Sequence, residues 1–126
     1  MQPWTRRILV VDDDPPTRVM LHDSLELLGY FVDAVPGVDE ARFALGTGAY
    51  AAVVIDVNLP DGSGMDLIKT ARLTQVHGAR VVVVTGHAED VFRRRAELLG
   101  ADAFIAKPFT PEDVLNACDL RAQTGA

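Results

Sequence analysis

Four short runs of uninterrupted apolar sequence, at residues 8–11 (ILVV), 52–55 (AVVI), 81–84 (VVVV) and 103–106 (AFIA), constrain the fold of this chain most. They are mostly β-branched and do not alternate with polar residues, as expected of strands buried on both faces of a parallel sheet. A weaker fifth run, 31–35, lies between the first two. The intervening segments carry helical spacing. Leu21, Leu25 and Leu28 share one face before Gly29, which predicts the stop of a first helix. Similar faces recur at Val38, Ala41 and Leu45; at Leu67, Ile68 and Ala71; at Ala88, Val91, Phe92 and Leu99; and at Val114, Leu115 and Cys118. Ser63 with Asp66, and Thr110 with Pro111 and Asp113, resemble helix N-caps with an acidic first turn. Five strands alternating with five helices imply right-handed crossovers onto one parallel sheet covered by helices on both faces.

At 126 residues the chain has the size of one domain, and splitting it would leave each half too small to bury a sufficient core. With 48% apolar and 24% charged residues it has globular composition. Twelve basic against eighteen acidic residues leave a net charge of -6, which disfavours direct nucleic-acid binding. Cys118 is the only cysteine, so an intrachain disulfide and a cysteine metal site are excluded. No apolar run approaches the ~20 residues of a membrane span, and residues 1–7 are too short and polar for a signal peptide. A cytoplasmic location is expected. Residues 1–7 and 122–126 lack periodicity, which predicts a frayed lead-in and tail around a domain at 8–121.

Ligands of open α/β sheets bind at the carboxyl ends of the strands. The first run ends in Asp12, Asp13 and Asp14, the third strand in Asp56, the fourth in Thr85 and the fifth in Lys107. In the flavodoxin-like order 2-1-3-4-5, Asp12, Asp13 and Asp56 converge. Such close carboxylates repel unless a cation, a proton or a lysine offsets them, and an all-oxygen set suits Mg²⁺ rather than zinc. Each piece has a plainer explanation. Asp14 before Pro15 and Pro16 reads as a helix cap; an isolated strand-end lysine is usually a solvated charge; Asn58, Pro60, Asp61 and Gly62 are ordinary turn residues. An acid pair, an acid, a hydroxyl and a lysine at four strand ends are harder to obtain together by accident.

The chain resembles the receiver domain of two-component response regulators (CheY-like) over about residues 8–121. The resemblance is carried by residues 8–13 (ILVVDD), 54–60 (VIDVNLP) with Gly64, 84–86 (VTG) and 104–109 (FIAKPF). Leu59 stands where many members have Met, away from the chemistry. The resemblance implies that Asp56 is the phospho-acceptor and that Asp13, Asp56 and the Asn58 backbone carbonyl hold Mg²⁺, with Mn²⁺ able to substitute and Asp12 in the outer shell. It also implies that Thr85 and Lys107 bind phosphoryl oxygens. Thr85 and Phe104 form the implied switch, although Phe104 also reads as a plain core aromatic. Asn58 and His87 border the site and are expected to tune dephosphorylation. His22 and His77 read as surface or packing residues.

The implied partners are a histidine kinase or phosphotransfer protein as donor, and a downstream effector or attached output domain. A homodimer could form through the fourth helix, the 103–106 strand and the fifth helix. Arg93, Arg94 and Arg95 on the fourth helix are either an interface or a solvated face. Two rivals remain open at this level. One is a Mg²⁺-dependent aspartyl phosphohydrolase, whose nucleophile and a second Asp two residues on would be sought around Asp12 and Asp14. The other is an interaction module that ignores phosphorylation.

Overall fold

The computed structural model describes residues 2–59, 62–86 and 90–120. Expectations for Pro60, Asp61, His87, Ala88 and residues 122–126 lie outside the described residues, as do those for the side chains of Ser63, Val91 and Phe92. The main sheet contains β1 (Arg7–Val11), β2 (Phe31–Val35), β3 (Ala52–Asp56), β6 (Arg80–Thr85) and β7 (Ala103–Ala106). All its pairings are parallel, in the order β2-β1-β3-β6-β7. This is the expected order 2-1-3-4-5 once β4 (Asn58–Leu59) and β5 (Gly62–Ser63), a two-residue antiparallel ladder outside the main sheet that the sequence did not anticipate, are left out of the count. The helices are α1 (Pro15–Leu27), α2 (Val38–Thr47), α3 (Gly64–Thr74), α4 (Asp90–Leu99) and α5 (Pro111–Cys118). The fold is flavodoxin-like.

Alternate residues of each strand feed opposite cores. Leu9 and Val11 face Ala41, Leu45, Leu67, Ile68 and Ala71 on α2 and α3. Ile8 and Val10 face Leu21 and Leu25 on α1 and Val114, Leu115 and Cys118 on α5. Central strands are thus buried on both sides, as their unbroken apolar sequence requires. Each leucine or isoleucine so removed from water contributes about 2 kcal/mol.

Two expectations need correction. Leu28 does not join the buried face of α1; it is the C-cap, 51% exposed, because Gly29 with φ of +94° turns the chain away first. The lead-in is not frayed. Pro3–Arg6 forms a 3-10 turn, and Arg7 already belongs to β1. Arg6 Nε donates to the Gly29 carbonyl at 2.7 Å and its guanidinium lies over the Tyr30 ring, while Trp4 packs on His77. Polar and aromatic contacts anchor this segment, so apolar periodicity could not reveal it.

Candidate functional site

Parallel register brings the strand ends level. Val11 pairs with Ile55, Asp56 with Val84 and Thr85 with Ala106, so the next residues emerge along one edge. The ladder runs slightly beyond the strands: Asp12 N–H donates to the Val35 carbonyl, Val57 N–H to Val84 and Lys107 N–H to Thr85. Asp12 and Asp56 are thereby buried, at 3% and 2% exposure, while Asp13 projects into solvent. One carboxylate oxygen from each of the three lies within 4.8 Å of the others. This all-oxygen set fits a hard divalent cation.

Lys107 closes the site from β7. Its Nζ is 2.7 Å from Asp56 Oδ2 and 3.7 Å from Asp12 Oδ2. The other Asp56 oxygen accepts from the Asn58 amide at 2.9 Å, and Asp12 Oδ1 accepts from the Asp14 amide at 2.9 Å. Burial pushes the Asp12 carboxyl above its ordinary range, against the lowering effect of the Asp14 amide and of Lys107. Burial alone would lower the Lys107 ammonium, but the Asp56 hydrogen bond and the Asp12, Asp56 and Asp13 charges outweigh it and hold the ammonium protonated. Both effects describe a compact acidic bowl with one fixed cation in it. Thr85 ends β6 on the same edge.

Asp14 is a cap, as its proline neighbours suggested. It accepts from the Thr17 amide at 3.2 Å and from the Thr17 hydroxyl, opening α1. Thr110 likewise forms a capping box with Asp113 on α5. Phe104 is half-buried against the α2–α3 core, with the Arg93 guanidinium 5.1 Å from its ring centre. Arg93, Arg94 and Arg95 are all exposed on α4. His22 is paired with Asp23 and Glu26 on the surface of α1, and His77 Nε2 lies 2.7 Å from the Tyr50 carbonyl oxygen; the pairing of each occupies it away from the bowl. Sequence reasoning missed Arg18, whose Nη1 donates to the Asp12 carbonyl at 2.8 Å. Its only sequence signal was a basic residue one helical turn after the cap.

The response regulator receiver domain model matches residues 8–119. The chain is 34% identical to the sensory/regulatory protein RpfC of Xanthomonas campestris pv. campestris over 94% of its own length and 17% of that protein. It is 35% identical to the phosphate regulon transcriptional regulatory protein PhoB of Escherichia coli, over 87% of this chain and 48% of PhoB. It thus spans a sixth to about half of these curated relatives. A Burkholderia pseudomallei response regulator, crystallised with a phosphorylated aspartic acid, calcium ion and citrate, superposes with a TM-score of 0.86 at 32% identity, over 94% of this chain and 69% of that one. A CheY-like receiver domain from Methanospirillum hungatei gives 0.86 at 30% identity, over 95% and 97%. No described helix is long and apolar enough to cross a membrane. With the family model covering residues 8–119 and the fold in agreement with these solved relatives, the chain belongs to the response regulator receiver domain family.

Proposed function

We propose that the protein is a signalling switch in which Asp56 accepts a phosphoryl group from a phosphohistidine on a kinase or phosphotransfer protein. The observation that carries this reading is the ion pair of Lys107 Nζ with Asp56 Oδ2 at 2.7 Å, inside a cluster whose three acids share one small volume. A carboxylate oxygen of Asp56 forms the new P–O bond, the P–N bond breaks, and the electron pair leaves on the donor imidazole, which takes a proton from solvent. Little covalent chemistry is asked of the protein beyond positioning and charge neutralisation. Mg²⁺, or Mn²⁺ in its place, supplies that neutralisation when bound by Asp13, Asp56 and the Asn58 carbonyl, with Asp12 in the outer shell. Lys107 and the Thr85 hydroxyl take phosphoryl oxygens; Asn58 and His87 govern access of water.

The added charge draws Thr85 inward and Phe104 follows, changing the surface of α4, β7 and α5 for an effector, an output domain or a second copy. The phosphoaspartate and cation named for the Burkholderia relative support this assignment. The phosphohydrolase rival is weakened by Asp14, which is committed to capping α1 and is not available as a second catalytic acid. A cytoplasmic setting suits the single, buried thiol.

Incubation with acetyl phosphate and Mg²⁺, followed by intact mass measurement, tests the proposal. One labile adduct of roughly 80 Da, the mass of a phosphoryl group, is expected, and it is expected to disappear in Asp56→Asn. An adduct that survives that substitution, or steady multiple turnover of a phosphate ester, would overturn it.

A further inference from the structure

Asp13 and Asp12 differ in how they are held. Asp12 is fixed by its own side chain, through the Asp14 amide and Lys107. Asp13 is exposed, and among the described residues none donates a hydrogen bond to its carboxylate. Its direction is set by the backbone that carries it. The relevant unit is the planar peptide joining residues 12 and 13, which rotates as one body. The amide of Asp12, one peptide earlier, is tied to the Val35 carbonyl, and the oxygen of the 12–13 peptide is the atom that accepts from Arg18 Nη1 at 2.8 Å. Arg18 is half-buried and stands on α1, the helix that Asp14 caps, so the contact ties the end of β1 to the start of α1 across the loop that bears both acids.

We propose that Arg18 is a positioning residue for the cation site. By holding the Asp12 carbonyl it fixes the 12–13 peptide and with it the placing of the Asp13 carboxylate relative to Asp12 and Asp56. The inference rests on the reading of the bowl as a divalent-cation and phosphoryl site. It makes a prediction opposite in sign to a purely electrostatic role. A guanidinium acting only as a nearby positive charge repels a divalent cation, and its removal would tighten cation binding. A guanidinium acting through geometry favours the cation, and its removal weakens binding. A role confined to folding changes stability and leaves affinity alone.

Calorimetric titration of the unphosphorylated full chain with Mg²⁺ separates these cases without any phosphorylation assay. Arg18→Met keeps the aliphatic stem and removes the donors; Arg18→Lys restores a cationic N–H donor group able to make the hydrogen bond to the Asp12 carbonyl. The expected result is a Mg²⁺ Kd raised about tenfold in Arg18→Met, the range for loss of a partner that orients a ligand, with much of the loss recovered in Arg18→Lys. Circular dichroism confirms that each variant is folded. If Arg18→Met does not fold, Arg18→Gln, polar but too short to reach the carbonyl, takes its place with the same expected rise. An unchanged or lower Kd overturns the proposal. If the native chain binds Mg²⁺ while the variant matches it, only the role of Arg18 is lost; if the native chain binds none, the underlying reading of the site falls with it.

Discussion

Burial raises the Asp12 carboxyl above its ordinary value of 3.8, and the Asp56 and Asp13 charges push the same way, against the Asp14 amide and Lys107. The consequence for stability has a definite sign. Below the unfolded value Asp12 is neutral in both states and costs nothing; as pH rises through the raised folded value, ionising it inside the fold becomes a net penalty. Asp12→Asn keeps an acceptor for the Asp14 amide and removes that penalty. In metal-free buffer the variant is expected to melt a few degrees higher at neutral pH, at about 4 °C per kcal/mol, with the gain fading below about pH 4. Thermal unfolding followed across that range checks it, and a gain independent of pH would show that charge burial is not the cause. The acids themselves were legible because each follows an apolar run at a strand end. Arg18 was not, since its partner is a backbone carbonyl that no side-chain pattern advertises. The same holds for Gln75, buried at 4%, which exchanges hydrogen bonds with the Tyr50 amide and the Leu45 and Gly48 carbonyls.

The start of α3 lies in close contact with the end of β3. A Cβ on Gly64 would overlap the Asp56 carbonyl oxygen and stand 2.9 Å from Val57 Cα and Ile55 Cγ2. The obstruction is mostly backbone, so no side chain can simply rotate away. Gly64→Ala is expected to destabilise by about 1–3 kcal/mol, as overpacking does, and to shift the end of β3 that presents Asp56. Urea unfolding should show the loss of stability, and acetyl phosphate should label the variant more slowly even where it remains folded. Native stability together with native labelling would mean that α3 can retreat at no cost. Gly64 entered the sequence argument only through the family resemblance; nothing in its local pattern separates a glycine of close approach from a turn glycine. The central strands β1, β3 and β6 were readable because both faces are apolar, whereas the ladder of Asn58–Leu59 with Gly62–Ser63 is two residues long and carries no periodicity at all.

Considered as a whole, the molecule is one sheet shared by two cores, and every central strand contributes to both. Neither layer of helices can leave without exposing a face of strands that the other layer still covers, which favours a single cooperative transition. Contacts at the end of the sheet remote from the bowl reinforce this: Arg6 ties the lead-in to the end of α1, and Arg72 of α3 reaches the Gly100 and Ala79 carbonyls and the Asp102 carboxylate. Cys118 offers a direct test, because it lies at the end of α5 in the α1–α5 core and is fully buried. Burial pushes its thiol up to about 12, with Arg80 opposing only partly, so both access and thiolate are withheld in the folded state. Iodoacetamide at neutral pH is expected to leave the native chain unlabelled, and in urea the labelled fraction should rise together with the loss of helical circular dichroism. Labelling at lower urea than the helical transition would mean that the eight residues of α5 open by themselves, making the α4, β7 and α5 surface a locally unstable unit that partners could remodel without help from the phosphorylation site.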